Sequence, residues 1–449
     1  ATSIFQAGLP FGRMLEVLGA SDVHPPLHHA ILWVTVRLLG DGELAVRLPS
    51  VLLGTALVPA LYAAGHELWD RRTGLAAAAL GAVAPLVVWY SQEARMYALV
   101  MLLMVVAVWG QARVLRRGGA GDWAIYTVAT VGLLYSHYST ILPVLVQQAF
   151  FLTAVLRRRR EGGAKRLTVG WIASLDVIVI LALPLVGFGL DQFAVNEGSG
   201  RGFEQPSQAG AGVGGRDDPA VYTGLTSLVW GIWGYHSQTT MAALGSLWPL
   251  LILLVLALLG RGRSRAGTLL AALVIVPVGG MFALGLAKPF LFELRYFIGA
   301  VPLALLLGAH GLVTWARRPA VRALAVGVAV ATMLVGLVDQ QVNGANPRTY
   351  DFDGALARIE SEARPGDRVF YAPSYLNNIV GYYTPQLGAR PLPQETPRVP
   401  EGGRLFLLAS FLENPPTAEA VGTAVSRLGE REELVGRFSE PQIEVWVFE

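Results

Sequence analysis

Residues 168–188 read TVGWIASLDVIVILALPLVGF, an apolar stretch that contains one charged residue. A helix of about 20 apolar residues is long enough to cross the hydrocarbon core of a bilayer. Comparable apolar stretches recur on both sides of this one. Together they predict about ten membrane-spanning helices, near residues 45–66, 74–90, 97–115, 123–136, 139–156, 168–188, 241–260, 266–287, 296–315 and 320–338.

The composition of the whole chain also indicates a membrane protein. Of its 449 residues, 53% are hydrophobic and 15% are charged, whereas about 25% of a typical soluble domain is charged. The formal net charge of +3 is too small to indicate a nucleic-acid partner. The lipid bilayer is therefore the predicted partner of the apolar surface. The absence of cysteine excludes disulfides, a thiolate nucleophile and metal sites with cysteine ligands.

The positions of the basic residues orient the predicted helices. Short cytoplasmic loops retain Lys and Arg, and here these residues cluster in alternate loops, at 71–72, 113–117, 157–166, 261–265 and 317–318. The other loops, including 1–43 and 189–240, are predicted on the outer face, together with the C-terminal tail. The segment Leu27–Leu39 reaches only about 20 Å as a helix, so we interpret it as an interfacial helix on the outer surface.

The character of the chain changes after about residue 340. Residues 351–363 have the pattern of an amphipathic helix. Predicted strands at 368–372, 404–409 and 443–448 alternate with helices near 376–383 and 417–428. Such alternation is typical of a compact α/β domain. The chain is thus predicted to be a mainly α, polytopic membrane protein over residues 1–340, with a small soluble extracytoplasmic α/β domain over residues 341–449.

The first candidate site is the outer-loop sequence Asp22-Val23-His24-Pro25-Pro26-Leu27. Two prolines fix an extended entry and then the first turn of a helix, which would hold Asp22 and His24 at the boundary between water and lipid. A helix cap followed by an ordinary turn explains the same residues equally well. No metal site is predicted from His24 and His28, because the intervening prolines disrupt the i, i+4 face that such a pair needs.

Two further segments place charges at predicted outer helix ends. In SQEARMY (91–97), Glu93 and Arg95 stand where an apolar stretch should continue. A charge inside the membrane costs about 2.5–3.5 kcal/mol, so these residues are expected to face a water-filled cavity; a polar surface turn is the alternative. In KPFLFELRY (288–296), Arg295 is placed to bind a lipid phosphate through paired hydrogen bonds, with Lys288 as a second cation. Cations that snorkel at a helix end are the alternative.

Aromatic and histidine side chains on the same face are further candidates for substrate contacts. His137 lies in a tight outer turn between two predicted helices, Tyr97 ends the SQEARMY segment, and Tyr296 follows Arg295. Aromatic residues at this depth more often anchor a helix at the interface. The same side chains are also suited to stack on a sugar ring.

These motifs resemble those of a known family. His24-Pro25-Pro26-Leu27, Glu43 to Ser50 (ELAVRLPS), Ser91 to Tyr97 and Arg295-Tyr296 occur in the order found in bacterial GT-C glycosyltransferases related to dolichyl-phosphate-mannose protein mannosyltransferases and aminoarabinose transferases. The resemblance covers residues 1 to about 340. It implies the GT-C fold, a polyprenyl-phosphate-linked sugar donor, and a glycan, lipid or protein acceptor on the outer face of a bacterial inner membrane.

The resemblance also implies roles for single residues. Asp22 and Glu93 match acidic or polar regions of the first and second outer loops and are predicted to be catalytic. The predicted substrate-binding residues are His24, Arg95, Tyr97, His137, Lys288, Arg295 and Tyr296. The family usually carries an Asp-Glu pair just before a stretch similar to Ala1-Thr2-Ser3, so the main catalytic aspartate is expected upstream of Ala1. Some relatives use a divalent metal, but the sequence shows no complete ligand set.

The predicted function is transfer of one sugar from a polyprenyl phosphate to an outer-face acceptor. Such a reaction needs a base for the acceptor hydroxyl and positive groups for the leaving phosphate. The alternative is a non-enzymatic membrane module, such as a transporter of lipid-linked sugars or a scaffold subunit. Transporters commonly contain broken helices in inverted repeats, and the sequence does not show that pattern.

Overall fold

The computed structural model of the chain describes residues 2–22, 24–198, 264–287, 294–342, 350–393, 395–412, 415–440 and 443–449. The chain divides into two compact units, one formed mainly by residues 6–343 and the other mainly by residues 344–449.

Up to residue 342, the described chain is helical. Its helices are α1 (Thr2–Gly8), α2 (Phe11–Ser21), α3 (Leu27–Leu39), α4 (Glu43–Leu68), α5 (Arg71–Val83), α6 (Pro85–Ser91), α7 (Tyr97–Arg116), α8 (Ala120–Leu134), α9 (Ile141–Arg160), α10 (Lys165–Gly198), α11 (Arg265–Ala287), α12 (Ala300–Trp315) and α13 (Pro319–Val342), with short 3-10 turns at Tyr138–Thr140 and Leu294–Phe297.

The main apolar core lies between α4, α5, α7, α11 and α12, and includes Leu61, Leu80 and Met101. Small residues let α4 and α5 approach closely, since a Cβ on Gly74 would lie 2.5 Å from the carbonyl oxygen of Tyr62. Backbone contacts of this kind are common between helices in membranes. On the outside of the bundle, α10 and α13 expose long apolar side chains, an apolar surface that suits a lipid environment.

In the part of the chain that the structure describes, five segments are long and apolar enough to cross a bilayer: α4, α7, α9 with its preceding turn, α10 and α13. A sixth candidate combines α5 and α6, which are bent by 60° at Ala84-Pro85. A residue before proline avoids the helical region, so the span predicted at 74–90 is a bent pair of helices. Of the other predicted spans, α8, α11 and α12 contain shorter apolar helices, and 241–260 lies outside the described residues. The multi-pass prediction is therefore confirmed, and the number ten stays a prediction.

Helices extend into both segments that the sequence predicts as outer loops, and the location of these segments stays a prediction. In the segment 189–240, α10 has 34 residues and continues to Gly198. At 1.5 Å per residue α10 is about 50 Å long, which exceeds the ~30 Å hydrocarbon core by several turns. The segment 1–43 also contains α1 and α2 before the predicted helix Leu27–Leu39. The sequence signal for α2 is the spacing of Met14 and Leu18, which are both fully buried.

The C-terminal part of the described chain consists of α14 (Phe352–Glu362), β1 (Arg368–Ala372), α15 (Asn377–Tyr383), β2 (Arg390–Pro391), β3 (Leu405–Ser410), α16 (Pro415–Gly429), β4 (Leu434–Glu440) and β5 (Ile443–Phe448). The sheet has the order β2-β1-β3-β5-β4. Strands β1, β2 and β3 are parallel, whereas β5 is antiparallel to both β3 and β4. Apolar clusters around Phe406 and Leu407 bury the two faces of this sheet.

Candidate functional site

The connection between α2 and α3 gathers hydrogen-bond donors around one carboxylate. Oδ1 of Asp22 accepts hydrogen bonds from the backbone N–H of His24 (3.1 Å) and lies 2.7 Å from Nδ1 of the same residue. Oδ2 accepts a hydrogen bond from the side-chain amide of Gln6 (3.3 Å) and lies 3.8 Å from Nε2 of His29. The side chains of Asp22 and His24 are 10% and 18% exposed, so this pair lies at the edge of the bundle.

Two neighbouring histidines, His28 and His29, form the first turn of α3 and are buried. Burial lowers the pKa of His28 to about 3 and that of His29 to about 4, because removal from water disfavours the imidazolium form. Both side chains are therefore neutral at physiological pH. Neither supplies a full positive charge to Asp22.

A group of rings lies on the other side of His24. The ring centroid of His137 is 5.8 Å from that of His24, 5.5 Å from that of Tyr296 and 6.5 Å from that of Tyr97. The backbone N–H of Ser139 donates to Nδ1 of His137 (3.2 Å), and the Ser139 hydroxyl donates to the backbone carbonyl of Tyr296 (2.7 Å). The turn after α8 and the turn before α12 are thus joined directly beside His24.

The C-terminal end of α10 holds the same loop in place. Gln192 is buried, and its Nε2 donates to the backbone carbonyls of Leu18 (3.0 Å) and His24 (3.2 Å). Its Oε1 accepts a hydrogen bond from the Tyr138 hydroxyl (2.7 Å).

A small recess lies beside these rings. Its polar lining comes from His137, Ser139 and the 3-10 turn at Tyr296, whereas Leu273 and Phe297 contribute to its apolar lining. The recess therefore presents both polar groups and apolar side chains to a ligand.

The segment between α6 and α7 carries the second predicted acid. Glu93 accepts a hydrogen bond from the indole N–H of Trp89 (2.7 Å). The backbone carbonyl of Arg95 accepts one from the Ser50 hydroxyl on α4 (3.3 Å). The charge of Arg95 contributes, after burial, to the lowered pKa of His28. This places the segment next to α3 and close to the carboxylate site.

Most of the residues predicted from the sequence come together, and two are not described. The contiguous group comprises Asp22, His24, Tyr97, His137 and Tyr296, with Arg95 beside it. Lys288 lies outside the described residues. The backbone of Arg295 belongs to the 3-10 turn Leu294–Phe297, immediately before Tyr296, and its side chain lies outside the described part.

Sequence reasoning missed several contacts of this group: Gln6, His29, Ser139 and Gln192. Ser139 lies two residues after the candidate His137, and His29 lies in the helix that follows the candidate His24, so proximity along the chain was an available signal for these two. Gln6 and Gln192 had no such signal. They reach the site only because α1 and α10 pack near the end of α2.

The described residues do not form a ligand set for a divalent metal ion. Among them, no three His, Asp or Glu side chains are grouped so that they could hold a metal ion. Asp22 and His24, which come closest, are bonded to each other at 2.7 Å. No step proposed below uses a metal.

Comparison with known proteins identifies the fold. Residues 23–186 match the family model of dolichyl-phosphate-mannose-protein mannosyltransferase. No curated protein matches the chain by sequence.

Three solved structures are similar to most of this chain. ArnT from Cupriavidus metallidurans in the apo state is similar over 99% of this chain and 93% of its own, with a TM-score of 0.55 and 13% identity. The same protein bound to undecaprenyl phosphate is similar over 95% of this chain and 88% of its own, with a TM-score of 0.53 and 13% identity. An Archaeoglobus fulgidus oligosaccharyltransferase in complex with zinc and sulfate is similar over 82% of this chain and 53% of its own, with a TM-score of 0.50 and 14% identity. At these identities the similarity shows a shared fold.

Proposed function

Because this chain has the fold of the GT-C glycosyltransferases, we propose that it transfers a sugar from a polyprenyl-phosphate donor to an acceptor at the outer face of a bacterial inner membrane. The observation that carries this proposal is the group of Asp22, His24, Tyr97, His137 and Tyr296 beside a recess that is lined by both polar and apolar residues. A donor of this kind combines a charged sugar phosphate with a long hydrocarbon chain.

The residues of the site divide into roles that the reaction requires. Asp22 and Glu93 supply negative charge on the acceptor side, where a hydroxyl must lose its proton. Tyr296 and His137, which line the recess, would contact the sugar, and the buried Tyr97 packs behind His137. Arg295 and Lys288, assigned from the sequence alone, would neutralise the phosphate that leaves. The ArnT structure bound to undecaprenyl phosphate supports a polyprenyl phosphate as the lipid.

The activity is tested by reconstituting the purified full chain with a panel of polyprenyl-phosphate sugars and measuring release of the polyprenyl phosphate. The wild-type chain should release it in the presence of an acceptor, and Asp22→Ala should not. Asp70→Ala is the matched control, because Asp70 caps α5 by accepting a hydrogen bond from the Thr73 N–H and lies outside the site group. Binding of donor without any release would contradict a transferase and favour a transporter or scaffold.

The proposed orientation is tested by single cysteines in this cysteine-free chain. Cysteine at the exposed positions Gln92 and Gly402 should react with a membrane-impermeant maleimide added from outside, whereas cysteine at exposed Gly162 should not. Labelling of Gly162 from outside in intact cells would place the site on the cytoplasmic face and contradict the proposed location of the acceptor.

A further inference from the structure

The turn between α9 and α10 carries a dense group of basic residues. Within residues 157–166, called the basic turn below, α9 ends in four arginines and α10 begins with a lysine and an arginine, and Glu161 is the one acidic residue. At their other ends both helices reach the candidate site, since α9 follows the turn of Ser139 and α10 leads to Gln192. The basic turn therefore lies at the end of the bundle opposite the site, on a surface that the proposed reaction does not use.

The end of α7 packs beside the basic turn and adds to its charge. The Arg158 guanidinium donates to the backbone carbonyl of Leu115 (2.5 Å), and the ends of both helices share a buried apolar cluster around Phe151. Residues 113–122 and 157–166 together contain nine basic and two acidic residues, whereas the net charge of the whole chain is +3. This corner of the bundle is thus more positive than the chain as a whole.

The basic residues of this corner differ in whether a carboxylate neutralises them. Arg113 pairs with Asp122 (2.6 Å), and both Arg116 and Arg117 pair with the buried Glu67 (2.8 and 3.1 Å). In the part of the chain that the structure describes, the exposed cations of the basic turn form no ion pair: Arg157, Arg159, Arg160, Lys165 and Arg166. Adjacent like charges repel one another, and an anion bound among them would relieve that repulsion.

Exposed apolar side chains adjoin these cations on both helices. Leu156 is 48% exposed and lies four residues before Arg160, and Val169 is 60% exposed and lies four residues after Lys165. Residues four apart share a face of a helix. The same faces continue into further exposed apolar side chains, at Leu152 and Ile172. An acidic partner from water would leave these side chains exposed, whereas a phospholipid covers them with its acyl chains and places its phosphate at the cations.

We propose that the basic turn binds the headgroup of an anionic phospholipid, whose acyl chains lie along the exposed faces of α9 and α10. This inference goes beyond the proposed function and does not depend on it. The planar guanidinium group donates paired hydrogen bonds to phosphate oxygens, and basic pockets between membrane helices are a known form of headgroup site. The backbone of the turn is accessible to a headgroup, because a Cβ on Gly162 or Gly163 would meet no atom within 4 Å.

The test measures binding of an acyl-labelled fluorescent phosphatidylglycerol to the purified full chain in a neutral detergent, by fluorescence anisotropy. One Arg or Lys near an anionic lipid surface changes binding by a factor of about five. Combining Arg157→Gln, Arg159→Gln and Arg160→Gln should therefore weaken phosphatidylglycerol binding by about tenfold or more. Zwitterionic phosphatidylcholine should displace the label only at about tenfold higher concentration than phosphatidylglycerol. Addition of ~1 M NaCl, which shortens the Debye length to about 3 Å, should also weaken binding.

The matched control removes three exposed charges from the same end of the bundle. Arg71→Gln, Arg72→Gln and Arg265→Gln on α5 and α11, combined, should leave phosphatidylglycerol binding nearly unchanged. Lysine at all three positions of the first variant should keep most of the affinity, because the charges are retained. If the first variant does not fold, Lys165→Gln combined with Arg166→Gln takes its place, with an expected loss of about fivefold or more.

Four results would each overturn the inference. Equal losses in the two triple variants would mean that the lipid responds to the overall charge and not to the basic turn. Equal displacement by phosphatidylcholine and phosphatidylglycerol would mean that the arginines only extend to the membrane surface. Displacement by inorganic phosphate as effective as by phosphatidylglycerol would assign the turn to a free anion. More effective displacement by polyglutamate would assign it to an acidic polypeptide.

Discussion

The hydrogen bonds of Gln192 predict that this side chain fixes the position of His24 and of the turn after α8. This buried side chain on α10 joins the end of α2, the His24 backbone and the Tyr138 turn through three hydrogen bonds. Gln192→Leu keeps the approximate size of the side chain and removes all three. At a net value of about 1 kcal/mol for each bond, and with about 1 kcal/mol regained by burying the leucine, the expected loss of stability is about 2 kcal/mol.

The effect on activity should exceed the effect on folding. Without the bond to its carbonyl, His24 can shift relative to the recess, and a displacement of about 1 Å in a catalytic geometry can reduce the rate about 10²-fold. Turnover for each folded molecule should therefore fall at least tenfold. Gln148→Leu is the matched control, because Gln148 also bonds two side chains, Tyr126 and Trp171, but in the packing of α8, α9 and α10.

The measurements are thermal melting in detergent and polyprenyl-phosphate release normalised to folded protein. Both variants should melt at lower temperature, and only Gln192→Leu should lose turnover. Equal turnover in the two variants would refute the reasoning, because it would mean that His24 is held without α10. A large loss of turnover in Gln148→Leu would refute it as well, because general loosening of the bundle would then explain both results.

Three other changes test separate parts of the structure. In Gly54→Ala the new Cβ would lie 1.9 Å from Oγ of Ser91, so turnover in the release assay should fall. The second substitution Ser91→Gly should restore turnover, because it removes the clashing hydroxyl. Gly12→Ala is the control and should leave turnover unchanged, because a Cβ there meets nothing within 4 Å. Glu93→Gln should lower turnover and leave donor binding unchanged; a drop in melting temperature alone would assign Glu93 to holding its turn through the Trp89 indole. Burial by itself would raise the pKa of Asp367, but hydrogen bonds from two backbone N–H groups and an arginine lower it, so its stabilisation is present at neutral pH and is lost as the pH falls through the folded pKa. Asp367→Asn should therefore melt below wild type at pH 7, and the difference should shrink as the pH is lowered below the ordinary carboxyl pKa of 3.8, in thermal melts of the full chain.

The membrane-spanning helices could be predicted because their signal is local. A run of apolar residues with the length of a bilayer is visible in a single segment, and the GT-C resemblance drawn from HPPL, SQEARMY and the Arg295-Tyr296 motif is confirmed by the family model and the solved structures. The strands β1, β3 and β5 were also predicted within one residue of their bounds. Each of them is largely buried and strongly apolar.

The missed elements have weak or mixed local signals. β4 is mostly exposed, and β2 has two residues, one of them proline. The C-terminal extension of α10 carries polar residues at 191, 192, 196 and 197 among apolar ones, so the apolar run that predicts a span ends before it. A helix that continues beyond its apolar run gives no hydropathy signal for the added residues. The extension is recognised only in the structure, where Gln192 donates hydrogen bonds to the backbone carbonyls of Leu18 and His24.

The double proline explains why the site could not be assembled from the sequence. Proline has no N–H, and the turn before α3 leaves backbone groups that no neighbour along the chain can pair. The structure pairs them with distant helices: the Leu27 N–H donates to the Tyr135 carbonyl at the end of α8 (3.1 Å), and the His24 carbonyl accepts from Gln192. The position of His24 is thus set by α8 and α10 together. A motif of four residues can be recognised locally, but its chemistry depends on where those two helices end.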